Sequence, residues 1–293
     1  MNKKFALFFG KRELSTSVTL LIGAFLLVLV PFELPATDKP LSSLVEIRYA
    51  KAATHLLYTF NTPGKLPEAS SMSTSWSPYF WVNSGAYLIM QDGLGKTVQG
   101  KLPTNDFWRT LYGKTNPLDT GNGYYPQNIF RLVTKSTWAD FSQEVQFKIQ
   151  HTNLTDTPNR DGYSGVLFFS RYKDGNNLYY AGIRQDGDAV IKKKVNGSYA
   201  TLDQRQVWSG SYDKWSRPSL IPQKQWMRMR LVTKDRADGG VELTLYVDKT
   251  NTGNYEVAAH AIDTGSVLRG PGHAGIRTDY EDVFFNDYRL TEI

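Results

Sequence analysis

Cysteine is absent from all 293 residues. That excludes disulfides, thiolate metal sites, a cysteine nucleophile and a lipidated cysteine. An exported protein does not need disulfides if its core is large, and a chain of this length can bury one. Sustained helical periodicity is also missing beyond the N-terminal region, which argues against a helical bundle or a doubly wound α/β fold. Histidine occurs only four times. His55, His260 and His273 stand alone and make no metal-ligand set. No Gly-x-Ser-x-Gly elbow is present, and "GLGKT" at 93–97 lacks the full spacing of a phosphate loop, so it reads as a turn.

One apolar run stands out, Val18–Val30, preceded by Lys3, Lys4, Lys11 and Arg12 and broken by Pro31 and Glu33. As a helix it would span about 20 Å, short of the roughly 30 Å hydrocarbon core. Flanking Leu14–Ser17 and Phe32 would extend it to a marginal span. Residues 1–36 are therefore read as an export signal, either cleaved or kept as a membrane anchor. Ala36 is small, but Leu34 is bulky where a cleavage site wants a small residue. Residues 37–53 read as a linker and 54–293 as the folded domain, outside the cytoplasm. The formal charge of +6 falls to +4 once the first 36 residues, with four basic and two acidic side chains, are set aside. This mild, diffuse excess in an exported chain argues against nucleic acid as a partner.

What is abundant is alternation. In "SQEVQFKIQ" (142–150), Val145, Phe147 and Ile149 point one way and Glu144, Gln146, Lys148 and Gln150 the other. "VELTLYVD" (241–248) repeats the pattern. Period-2 alternation means strands with one buried face. Further strands are expected at 128–134, 164–172, 177–185, 189–195 and 226–233. Asp-Gly turns at 174–175 and 186–187 and the Asn-Gly turn at 196–197 join them as hairpins. The result is an all-β, two-sheet antiparallel sandwich, preceded by the N-terminal hydrophobic helix.

With the strands in this order, "LLYTFNTPG" (56–64), "WVNSGAYLIMQDG" (81–93), "STWADFSQEVQFKI" (136–149), "GYSGVLFFSRYKDGNNLYYAGIRQDGDAVIKKKVNG" (162–197), "WMRMRLVT" (226–233), "VELTLYVD" and "GHAGIRTDYEDVFFNDYRL" (272–290) resemble the concanavalin A-like lectin/glucanase superfamily in its laminin-G-type, jelly-roll form. The resemblance spans roughly 54–293 and implies a glycan-binding or glycan-cleaving domain. In the last stretch Val283 and Phe285 fall on one face, and Phe284, Asn286 and Tyr288 on the other. The carboxylates at 279–282 are placed in a turn before that strand. Calcium sites recur in such domains, and Asp279, Asp282 and Asp287 are the hard-oxygen candidates here, although no cofactor is required.

The jelly-roll glucanases carry Glu-x-Asp-x-Glu or Glu-x-Asp-x-x-Glu on one strand, and neither occurs here. Jelly-roll alginate lyases carry an Arg strand, then Gln-x-His, then a Tyr-rich strand, which Arg131, Gln150–His151 and Tyr179–Tyr180 echo. The departure is that Gln150 and His151 are adjacent and so face opposite ways. The lyase alternative would rest on Arg131, His151 and Tyr180. The leading expectation is a lectin-like protein recognising extracellular polysaccharide through a polar, basic groove. Gln146, Lys148, Gln150, Tyr180, Arg184, Lys192, Arg228 and Arg230 are its expected ligand contacts, with tryptophans such as Trp76, Trp81 and Trp215 as stacking platforms. A structural or adhesive surface domain is the third alternative.

Overall fold

The computed structural model describes residues 55–293, so the Val18–Val30 run and the linker lie outside the described residues. The chain opens with β1 (His55–Tyr58), β2 (Gly64–Pro67), β3 (Phe80–Ser84), β4 (Tyr87–Gln91) and β5 (Leu94–Lys96). A helix, α1 (Phe107–Thr115), leads to β6 (Phe130–Trp138), β7 (Phe141–Thr152), β8 (Gly165–Asp174) and β9 (Asn177–Arg184). Then come β10 (Asp188–Val195), β11 (Ser198–Gln206), β12 (Met227–Asp235) and β13 (Val241–Asp248). The last three are β14 (Glu256–Asp263), β15 (Gly272–Thr278) and β16 (Glu281–Glu292).

The strands form two antiparallel sheets. One runs β14-β13-β12-β7-β16-β5-β4-β2, with β1 also paired to β16; the other runs β11-β10-β9-β8-β15-β6-β3. Stacked face to face, they make the sandwich that the concanavalin A-like resemblance implies. The inward side chains are those that alternation selects. Val145, Phe147 and Ile149 of β7 and Met229 and Leu231 of β12 are buried in one cluster with Phe168 of β8, Ile183 of β9 and Ile276 of β15. Each such side chain contributes about 1.5–3 kcal/mol by leaving water. Polar groups that enter this layer find partners: Tyr179 Oη donates to Asp263 at 2.7 Å, and Gln143 Nε2 to the Phe169 carbonyl at 2.7 Å. Among the described residues no helix is long and apolar enough to cross a membrane.

The structure corrects the sequence reading in three places. α1 is a helix where none was expected; at nine residues it is too short to show a period, and Asp106 caps it by accepting from the Trp108 and Arg109 amides at 2.7 and 3.2 Å. Tyr288 is not on the outer face but in the core, its ring 5.8 Å from that of Phe80. A bulge causes the switch: Asp287 takes φ 47°, and the register against β7 slips between Asn286 and Arg289. Lastly, Glu281 and Asp282 do not precede β16 but begin it, and both are buried.

Candidate functional site: a basic, tyrosine-lined groove

The outer face of the seven-stranded sheet follows from the same alternation. On β6, Leu132 enters the core and Arg131 and Val133 face out; on β15, Ile276 enters and Arg277 faces out. On β9, Tyr179, Ala181 and Ile183 enter, leaving Tyr180, Gly182 and Arg184 outside. Register then aligns these residues into rungs across the sheet. One rung runs Arg131–Arg277–Leu167–Gly182–Val190. The next runs Val133–Gly275–Phe169–Tyr180–Lys192.

Each rung is interrupted by a glycine. A Cβ at Gly182 would lie 2.2 Å from the Val166 carbonyl oxygen, and one at Gly275 2.3 Å from that of Leu132. Any side chain there would push strands apart, so the floor is bare at these points. Above it lie three adjoining cavities of about 310, 200 and 290 Å³. Arg277 lines all three. Arg131, Tyr180, Tyr199, Tyr163 and Asp279 each line two, so the cavities form one groove.

Its electrostatics are uneven. Arg184 is tied to Asp186 and donates to Gln204 Oε1 at 3.1 Å, with its guanidinium 4.3 Å from the Tyr163 ring. Lys194 Nζ donates to the Gly175 carbonyl at 2.8 Å. Arg277 gives its Nε to both oxygens of Asp279, at 2.9 and 2.7 Å. Arg131 and Lys192 have neither hydrogen bond nor ion pair among the described residues. Burial holds the Arg131 guanidinium below its ordinary pKa, and neighbouring Arg277 adds to the effect. Burial lowers Lys192 likewise, helped by Arg184 and Arg277. Burial also pushes the Tyr180 phenol up, so it stays protonated. At the other end the groove turns acidic. Asp119 there accepts from Asn159 Nδ2 at 2.7 Å and Tyr280 Oη at 3.0 Å, and Asp161 lies nearby.

Of the residues singled out from sequence, the structure brings Arg131, Tyr180, Arg184 and Lys192 together in this groove. It separates the others. Gln146, Lys148 and Gln150 on β7 and Arg228 and Arg230 on β12 belong to the nine-stranded sheet, on the opposite outer surface of the sandwich. There Lys148 sits 4.8 Å from the Trp226 ring, and Arg230 lies 4.6 and 4.4 Å from the rings of Tyr246 and Tyr255. Arg228 donates to Asn251 and Gln146 to Asp287. His151 is also on β7, exposed and opposite Asp282, and so does not join Arg131 and Tyr180. Arg277, Tyr199 and Tyr163 were not singled out. Arg277 could have been, since Ala274 and Ile276 alternate inward beside it.

The three aspartates proposed for calcium do not converge. Asp279 is held by Arg277. Asp282 is buried and accepts from the Gly100 amide, Gln127 and Asn153 at 2.7, 2.8 and 2.9 Å. Asp287 takes Gln146 at 3.1 Å, turned outward by its bulge. Among the described residues no group of three or more His, Asp or Glu side chains is arranged to hold a metal. The set therefore does not fit a calcium ion.

No protein-family model matches the chain, and no curated protein matches it in sequence. Solved structures do resemble it. The carbohydrate-binding module CBM66 of Bacillus subtilis is 15% identical over 55% of this chain and 81% of that one, with a TM-score of 0.39. A point mutant of the GH43 protein BlXynB of Bacillus licheniformis is 12% identical over 81% of this chain but only 39% of its own, with a TM-score of 0.44. The exoplasmic/lumenal domain of VIP36, in a Ca2+/Man3GlcNAc-bound form, is 9% identical over 82% and 91%, with a TM-score of 0.42. At such identities these are likenesses of general architecture.

Proposed function

We propose that the protein binds carbohydrate outside the cytoplasm, through the groove on the seven-stranded sheet. The observation that carries this reading is the pairing of exposed tyrosine rings with Arg and Lys nitrogens that lack a hydrogen bond among the described residues, around a bare floor. Tyr163 and Tyr199 are 64% and 58% exposed where they line the groove, so their ring faces are open to a ligand. Sugars stack their CH faces on such rings while hydroxyls take hydrogen bonds from neighbouring Arg and Lys. Export rests on the basic, then apolar, N-terminal segment. Binding is favoured over lyase chemistry because His151 lies on β7 of the other sheet, away from Arg131 and Tyr180.

The test is binding of the full chain to a panel of polysaccharides, with absorbance of unsaturated products followed in parallel. Tyr199→Ala should weaken binding about fivefold, since a stacking contact is worth about 1 kcal/mol. His151→Ala and Arg230→Ala, on the other sheet, should leave it unchanged. Equal losses from Arg230→Ala would place the site on the wrong sheet, and growth of the absorbance would make the protein a lyase.

A further inference from the structure

We propose that the groove selects an acidic glycan, whose carboxylate or sulfate docks at Arg131 and Arg277, with Lys192 adding positive charge farther along the floor beside Arg277; this rests on the carbohydrate-binding reading above. Three observations converge. The first is register. Arg131 and Arg277 are direct cross-strand partners on β6 and β15. Like charges placed opposite each other in a sheet are destabilising, and one neutral residue at either position would relieve the repulsion. The repulsion is compensated when an anion bridges the two guanidiniums.

The second is hydrogen-bond accounting. Arg131 and Lys192 are partly buried yet have no hydrogen bond or ion pair among the described residues. Arg277 spends only its Nε on Asp279, leaving its two terminal nitrogens without a hydrogen bond among the described residues. Partly desolvated donors without acceptors are costly, and an oxyanion between Arg131 and Arg277 would take up the open nitrogens of both, while Lys192 shares only the Arg277 side of the groove. A neutral sugar hydroxyl would satisfy one bond at a time and no charge.

The third is the polarity of the groove. The cavities holding Tyr180 and Tyr199 are lined by Arg131, Arg184, Lys192, Lys194 and Arg277 against a single carboxylate, Asp279. Asp119 and Asp161 line only the first cavity, on one side of Arg131 and Arg277, whereas the cavity on their other side, with Tyr180 and Tyr199, is lined by no carboxylate. An acid group is therefore drawn to one half of the groove, where Tyr180 and Tyr199, their rings 6.0 Å apart edge to face, flank it.

The experiment measures binding of the full chain to oligomers of several uronates, each beside its carboxyl-reduced, uncharged counterpart. A second arm compares sulfated glycans with their desulfated forms and so tells sulfate from carboxylate. A single-stranded oligonucleotide serves as a non-sugar polyanion. The expected result is that at least one acidic oligomer binds tenfold or more tightly than its neutral counterpart, and that the advantage shrinks as salt is added. Arg131→Gln and Lys192→Gln, on different strands, should each cut that ratio severalfold without lowering the melting temperature, and Arg131→Gln should raise the melting temperature by relieving the repulsion with Arg277. Equal affinity for charged and neutral forms, or a ratio untouched in both variants, overturns the selectivity but leaves carbohydrate binding standing. If no glycan of either charge binds, the carbohydrate reading itself falls. Equally tight binding of the oligonucleotide would reduce the groove to a general polyanion surface and also overturn the proposal.

Discussion

Glu281→Gln should remove much of the pH dependence of this protein's stability between about pH 5 and about pH 8. Glu281 is fully buried at the start of β16. Gln185 Nε2 donates to its Oε1 at 3.2 Å, while its Oε2 and the Gln185 Oε1 have no partner. Burial pushes the carboxyl from the ordinary 4.5 up to about 8, with Asp279 and Asp282 adding repulsion. A proton on Glu281 would let the acid donate to an acceptor such as Gln185 Oε1. In the unfolded chain the group ionises near 4.5, so between that pH and about 8 the native state holds more protons than the unfolded one. Stability from this group is accordingly full below 4.5, falls as pH rises, and levels off above about 8. At roughly 1.4 kcal/mol per pH unit the loss reaches about 5 kcal/mol, comparable with the whole stability of a marginal domain. Glutamine keeps the shape, supplies a donor amide and never ionises. Urea denaturation of both proteins across the range isolates residue 281 together with its coupling to Asp279 and Asp282, because the groups not coupled to it cancel in the difference. The variant should match wild type near pH 5 and exceed it by a few kcal/mol near pH 8.5. Parallel stability curves for the two proteins would refute the reasoning.

Two further outcomes follow from the packing. Arg171 is turned inward at a φ of 50°, and its fully buried guanidinium holds Asp140 and Asp235 at 3.1 and 2.9 Å. Arg171→Leu strands both carboxylates and should cost about 3 kcal/mol, the low end for a broken buried pair because the aspartates are partly solvated; urea unfolding would reveal the loss, and a change below about 1 kcal/mol would contradict it. Asp106→Ala removes the cap of α1 and should cost about 1 kcal/mol in the same assay, whereas an unchanged midpoint would show the cap to be idle.

The strands were legible because period-2 alternation is a local property. β13 falls at 241–248 as read, and the Asn196–Gly197 turn has both residues at positive φ, as a two-residue hairpin requires. Alternation tells inward from outward, but not which sheet a strand joins. Lys148 and Lys192 therefore carry the same outward signal, though the sandwich core lies between their sheets. Bulges were hidden for a related reason: the slip at Asp287 that buries Tyr288 is a single αL residue, with no glycine to announce it. Arg131 and Tyr180 were legible as chemistry. The rung that sets Arg131 against Arg277 depends on pairing between residues far apart in the chain.

The pairing of β1 with β16 places His55 opposite Thr291, so the first described strand and the last enter and leave side by side in the nine-stranded sheet. The groove lies on the other sheet. A tether joined to the C-terminus would therefore attach at the end of a strand in the sheet that does not carry the groove. For immobilisation on a sensor chip or display on a particle, C-terminal attachment is thus the geometry that keeps a long polymer's access unobstructed.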